Sequence, residues 1–289
     1  MHQKLKDLLN LDRTPRNLLG GTSLALVVKV LGTAFSFLFN ILIARLIGSE
    51  GAGQFFLVLS VGTISTVLAD LGLSQAALRF VAVGSTQQDW PAVKGVYQQS
   101  LGLTLAASSI LSGLTYIAAP WIAVGLFSKP DLAAPLRWMT LSILPIALLW
   151  LHTNLLQGLQ KILAFSCLQV PGLGFSALAI LGLYAFGSLS GVVRAISAYI
   201  AAAIGMMLIS LYLWHNSAPQ IRGVPGKFQR QTLLQTSIPI LWIKIANLWV
   251  SKTSTTLILG VLLTSHEVGV YGMVFRTAAL TTFFFRNHQ

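Results

Sequence analysis

Cations inside apolar runs long enough to cross a bilayer constrain this chain more than any other feature. From Leu24 to Ser60 an apolar run carries Lys29 and Asn40 within it and reaches Arg45. A Gly-rich turn follows, Gly48-Ser49-Glu50-Gly51-Ala52-Gly53, and a second apolar run begins at once. Runs of about 18 or more residues recur along the chain, each long enough to span hydrocarbon as a helix. Lipid offers no partner to backbone polar groups, so spanning segments are helices or closed barrels. Period-2 alternation is absent, which argues against a barrel. The expected class is an all-α polytopic membrane protein.

Composition agrees. Of 289 residues, 55% are hydrophobic and 9% charged. Soluble domains carry about 25% charged residues, and this chain has too few to cover a soluble surface. The net charge of +12 fits an excess of Lys and Arg in cytoplasmic loops. The basic residues are not gathered in one soluble segment, so nucleic acid is not expected as a partner. Cys167 is the only cysteine. It permits no intrachain disulfide and is expected to be a core residue. The first apolar run is too long for the core of a cleavable signal and lacks a small-residue cleavage site.

The opening phrase returns late in the chain. Setting Leu46 on Leu262 places Ser49, Gly53 and Val58 on Ser265, Gly269 and Val274. Such a period exceeds the 20–50 residues of solenoid repeats. It is the period of a lobe, as in transporters built from two related halves. The expected organisation is a cytoplasmic amphipathic N-terminus over 1–17, then a lobe of six transmembrane helices over 18–214. A cytoplasmic linker covers 215–235. The first two helices of a second lobe occupy 236–289, so the chain reads as truncated. Six helices are expected near 18–47, 52–83, 96–124, 132–156, 162–186 and 190–214, then two near 236–263 and 268–285. Pro145, Pro171 and Pro239 are expected to break three of them. Lys4, Lys6, Arg13, Arg16, Arg79, Lys94, Lys161, Arg222, Lys227 and Arg230 fall on one side, which places the N-terminus in the cytoplasm.

Two polar stripes stand out. Lys29, Thr33, Ser36 and Asn40 are spaced four, three and four, so they share a helical face. Lys244, Asn247, Ser251 and Thr255, spaced three, four and four, repeat the pattern, with Lys252 beside them. Polar stripes are costly against lipid, so each should face protein or water. A cleft between lobes follows as the expectation, with Lys29, Ser36, Asn40, Arg45, Lys244, Asn247, Lys252 and Arg276 as its substrate-binding residues. Snorkelling lysines and ordinary helix packing are the alternative. Asp70, beside Gly72, is assigned either to a coupling ion or to a structural role, pairing with Arg79 or capping a bend. Glu50 and Glu267 are expected to be solvated in turns, and His152 to sit in an interfacial belt. No paired carboxylates, Ser/His/Asp set, phosphate loop or metal cluster is present in the sequence. Neither an enzyme, nor a metal, nor a cofactor is expected.

The segments Asn40-Ile41-Leu42-Ile43-Ala44-Arg45-Leu46-Ile47-Gly48-Ser49-Glu50-Gly51-Ala52-Gly53-Gln54-Phe55 and Leu68-Ala69-Asp70-Leu71-Gly72-Leu73-Ser74-Gln75-Ala76-Ala77-Leu78-Arg79-Phe80 resemble bacterial polysaccharide biosynthesis flippases. These are lipid-linked oligosaccharide exporters of the MATE-like superfamily, O-antigen flippases among them. The resemblance implies two six-helix lobes and a cationic cleft passing an undecaprenyl-pyrophosphate-linked glycan across the bacterial inner membrane. It implies the bilayer, the glycan and polysaccharide polymerase or other assembly proteins as partners. Two other readings stand beside it: a MATE-type multidrug/cation antiporter, and a non-transporting subunit of a polysaccharide assembly machine.

Overall fold

The computed structural model describes residues 15–286 apart from Ser190, Arg222, 228–229 and Ser251, and no strand occurs among the described residues. Most of the expected 1–17 segment therefore lies outside them. The first continuous helical stretch, Pro15–Asp70, is broken at Gly48 (φ 74°, ψ 175°). This left-handed conformation strains any residue with a Cβ, and Gly adopts it freely. Its apolar part, Leu26–Asp70, holds 45 residues. A helix of that length would reach about 68 Å, twice a bilayer core of about 30 Å. The Gly48 break resolves the mismatch by making two spans, α1 (15–47) and α2 (49–70).

Leu71 (φ 50°) and Gly72 (φ 73°) then form an elbow, and α3 runs Leu73–Thr86. α4 (Trp90–Trp121) starts earlier than its apolar residues suggest. Asp89 caps it by accepting the Ala92 N–H at 3.2 Å, with Pro91 in the first turn, where its missing N–H costs nothing. α5 (Ala133–Met139) and α6 (Ile143–Gly158) are joined by a tight turn over Thr140–Ser142. Pro145 thus lies in the first turn of α6, inside the one span Pro130–Gly158, and the α-helical pattern breaks just before it at Thr140–Ser142, near where a proline was expected to act. Pro171 interrupts another: α7 (Ile162–Leu168) and α8 (Leu173–Ala185) flank an extended Gln169–Gly172 segment. α9 spans Gly191–Ser217. α10 (Arg230–Val250) continues through Pro239, and α11 (Lys252–Leu262) follows at a 48° bend. The proline was the expected break; the bend comes at 250–252 instead. α12 covers Ser265–Arg286.

An aromatic cluster ties the first spans together. Phe55 meets Phe39, Phe56 and Tyr199 edge-on, and Tyr199 meets Phe175, so α1, α2, α8 and α9 share one core. Close backbone approach does the rest. A Cβ on Gly32 would stand 2.8 Å from the Leu173 nitrogen, and one on Gly182 2.9 Å from the Ala198 Cα. Small residues at such crossings are how helices pack without a hydrophobic drive between them. The outer surface is apolar: Ile117 is 76% exposed and Trp121 71%. Patches of this kind need lipid or protein over them.

Candidate functional site

The repeat observed in sequence becomes a contact in the fold. The turns that start α2 and α12 cross each other. A Cβ on Gly53 would lie 1.7 Å from the Ser265 carbonyl oxygen, and one on Gly269 2.0 Å from that of Ser49. Ser49 and Ser265 are repeat mates, as are Gly53 and Gly269. The contact is thus reciprocal, each half offering its glycine to the other's serine carbonyl, as in a two-fold interface. On this side Lys129 donates to the carbonyls of Gly260 (2.8 Å) and Leu263 (2.7 Å), closing the C-terminus of α11. Burial pulls the Lys129 amine below its usual range, and the Glu267 charge partly restores it. Glu267 is exposed, as expected of a turn acid, but it also has a task. Its Oε2 accepts the Thr264 N–H and hydroxyl, both at 2.8 Å, while Thr264 accepts the Glu267 N–H at 3.3 Å. This is a capping box at the start of α12. The bonds from Thr264 hold the Glu267 carboxyl below its ordinary value.

The site lies at the α2–α3 elbow. Gly72 brings the elbow against α10, where a Cβ would stand 2.4 Å from the Ser237 carbonyl oxygen and 2.9 Å from the Leu241 nitrogen. One turn further along α10, Lys244 Nζ lies 2.5 Å from Asp70 Oδ2 and 3.0 Å from Ser74 Oγ. Asp70 is fully buried, and the Lys244 side chain is 17% exposed. Asp70 Oδ1 has no hydrogen-bond partner among the described residues. Lys244 also faces the Trp150 ring, 6.0 Å from its centroid. Beside the pair opens a cavity of about 370 Å³, lined by Ser74, Trp150, Asn154, Gln169, Pro171 and Lys244 among others. Such a volume falls in the range of small-molecule sites. Two interruptions border it, the 71–72 elbow and the Gln169–Gly172 break, and α10, which runs on through Pro239, closes the third side. Irregular backbone at membrane depth is tolerated where it lines a cavity.

Several sequence expectations need correction. Lys244, expected as a cation without a nearby acid, is paired by Asp70. Asp70 does not pair with Arg79, which is exposed. On α1, Thr33 donates to the Lys29 carbonyl (2.9 Å) and Asn40 to that of Ser36 (2.6 Å), so much of that stripe satisfies its own helix. Lys29 and Arg45 are exposed, and Ser36 and Asn40 are half-buried beside the packed Gly32–Phe39–Ile43 ridge. Asn247 is exposed. Ser251 and the Lys252 side chain lie outside the described residues, and the α10–α11 bend divides their stripe. Arg276 lies over the Phe56 ring at 3.6 Å, a cation–π contact between α12 and α2. His152 is fully buried, with Nδ1 2.8 Å from the Leu148 carbonyl and the Tyr97 ring beside it, so it is not a belt residue. Cys167 is exposed on α7, not in the core. Sequence reasoning missed Trp150, Asn154 and Gln169 as site residues. Their signal was the Pro171-Gly172 break inside an apolar run, which marks where a span opens a cavity.

Known proteins bear on this arrangement. Stage V sporulation protein B of Bacillus subtilis (strain 168) is 27% identical over 152 residues, covering 53% of this chain and 29% of that protein. The solved MATE multidrug transporter DinF-BH shares the fold: TM-score 0.58 at 14% identity, over 88% of this chain and 60% of that one. The chain thus spans under a third of the sporulation protein's length and about three fifths of the transporter's. The helices are those of a multi-pass membrane protein, and the likeness to the solved transporter shows a MATE-like fold. Residues 18–285, nearly the whole chain, match the family described as polysaccharide biosynthesis protein, and the chain belongs to this family.

Proposed function

We propose that this chain forms part of a flippase that moves an undecaprenyl-pyrophosphate-linked oligosaccharide across the bacterial inner membrane, its N-terminus and the 215–235 linker cytoplasmic. Residues 18–214 form one lobe and 236–289 open the second, and the Asp70–Lys244 pair bridges them. The observation that carries the reading is Lys244 itself: an intramembrane cation at the mouth of a cavity where two interrupted elements meet α10. A buried cation attracts an anion far more strongly where water is scarce. The Asp70 carboxylate holds the place that a substrate phosphate takes, and the lipid tail stays in the bilayer while the head group enters. Lys29, Arg45 and Arg276 extend the positive path. The pairing also speaks against a multidrug cation antiporter, because the one acid at this depth is already neutralised.

Export of surface polysaccharide in a flippase-deficient bacterium tests the reading. Asp70→Asn keeps the cation and is expected to export. The Asp70→Asn/Lys244→Gln pair keeps the polar contact but removes the charge, and is expected to lose export at unchanged membrane level. Equal export by the double variant and the parent would show that the pair only packs.

A further inference from the structure

The cavity beside Lys244 is not lined as a phosphate site alone. Trp150 from α6 and Phe165 from α7 give it aromatic walls, while Thr153, Asn154 and Gln169 add hydroxyl and amide groups. Asn154 uses one amide N–H on the Trp150 carbonyl at 2.9 Å, which fixes its side chain beside that ring and leaves its carbonyl oxygen available. Gln169 stands in the α7–α8 break, where the backbone is already turned aside. A bare phosphate would meet the cation and leave the rings uncovered. A fatty or aromatic acid would cover the rings and strand the amides, and unpaired buried polar groups are costly. A sugar joined to phosphate satisfies all three. Its axial C–H groups carry partial positive charge and lie against the electron-rich ring face. Its hydroxyls reach the amides, and its phosphate reaches Lys244.

We infer that Trp150, Asn154 and Gln169 form a subsite for the sugar attached directly to the lipid pyrophosphate. This rests on the flippase reading above and sharpens it. The lipid pyrophosphate is read by charge, and the first sugar by ring and amide. Asn154 and Gln169 are then specificity-determining residues, since their reach sets which hydroxyl orientation is accepted.

Binding to the 289-residue chain in lipid nanodiscs separates the two readings, with farnesyl pyrophosphate as one probe and farnesyl pyrophosphate bearing a single glucose as the other. The parent is expected to bind the glucosylated probe about three- to tenfold more tightly, the increment of one ring contact with its hydrogen bonds. Trp150→Leu, Asn154→Ala and Gln169→Ala each remove that increment, and Asn154→Ala and Gln169→Ala leave farnesyl pyrophosphate binding unchanged, which also shows that the fold is intact. Trp150→Phe retains most of it. Absence of the increment in the parent, or its survival in Trp150→Leu, would overturn the sugar subsite while leaving the charge site standing. Failure of both probes to bind the parent would overturn the anionic-lipid reading and the subsite with it.

Discussion

Removing one partner of the Asp70–Lys244 pair tests whether the site is built around a buried charge. Breaking a buried pair costs about 3–5 kcal/mol, mostly from the charge left alone. The two partners are not equally placed, so the two losses should differ. Lys244→Gln strands Asp70, which is fully buried and already has one unpartnered oxygen. Glutamine can still donate one neutral hydrogen bond, so about 3 kcal/mol is expected. Asp70→Asn strands Lys244, but its side chain is 17% exposed and borders a cavity of about 370 Å³. Water can reach the ammonium there, and about 1–2 kcal/mol is expected. Combining them leaves two amides that can bond each other, and the double variant should lie within about 1 kcal/mol of the parent. The resulting coupling energy, about 3–5 kcal/mol, is at or above the upper end for contacting residues. SDS titration of the purified chain in mixed micelles reads these differences. A larger loss for Asp70→Asn than for Lys244→Gln, or a double variant equal to the sum of the singles, would refute the reasoning.

Gly53→Ala and Gly269→Ala should each destabilise the chain by about 1–3 kcal/mol, because the new methyl must push the other half's serine carbonyl away. One separation of α2 from α12 relieves both clashes, so the double variant in the same titration should fall well short of the sum. The Glu267 carboxyl is held below its ordinary range by Thr264. Its contribution is therefore present above the unfolded value and lost as pH falls through the lowered folded one. The protection of the Thr264 amide, its exchange rate taken relative to that of an unprotected amide at the same pH, should fall over that acidic window in the parent and should be low and flat across it in Glu267→Ala. With Cys167 replaced by Ser, an impermeant thiol reagent applied to cells should label a cysteine at Ser128 and not one at Ser217; labelling of Ser217 from outside would reverse the topology.

Helices were legible because length and apolarity alone dictate them in lipid. The Gly48 break, the bend at Gly72 and the Pro171 interruption could also be read, since glycine and proline act through their own backbone. The bend at 250–252 could not, because no residue there demands it and Pro239 offered a more obvious place. The N-terminal extension of α4 was missed because Asp89, Trp90 and Pro91 look like a loop when polarity alone is weighed. Read as a cap followed by a first-turn proline, the same residues start a helix.

The site was half legible for a related reason. A stripe is a property of one helix, whereas a partner is a property of two. Lys244 was found by its spacing, but its acid lies 174 positions away. Nothing local in either segment predicts their meeting. What brings them together is Gly72, which lets α10 approach the elbow without a side chain between them. The α1 stripe carries the same residue types, yet it turns largely onto its own carbonyls. The difference between the stripes lies in the neighbouring backbone. On α1, Gly32 lets the α7–α8 junction pack close against it, and the polar groups of its stripe bond to carbonyls of their own helix. Around Lys244 the 71–72 elbow and the Gln169–Gly172 break withdraw backbone from the space beside it, and a cavity lined by rings and amides is left. A cation becomes a site here because the helices around it stop.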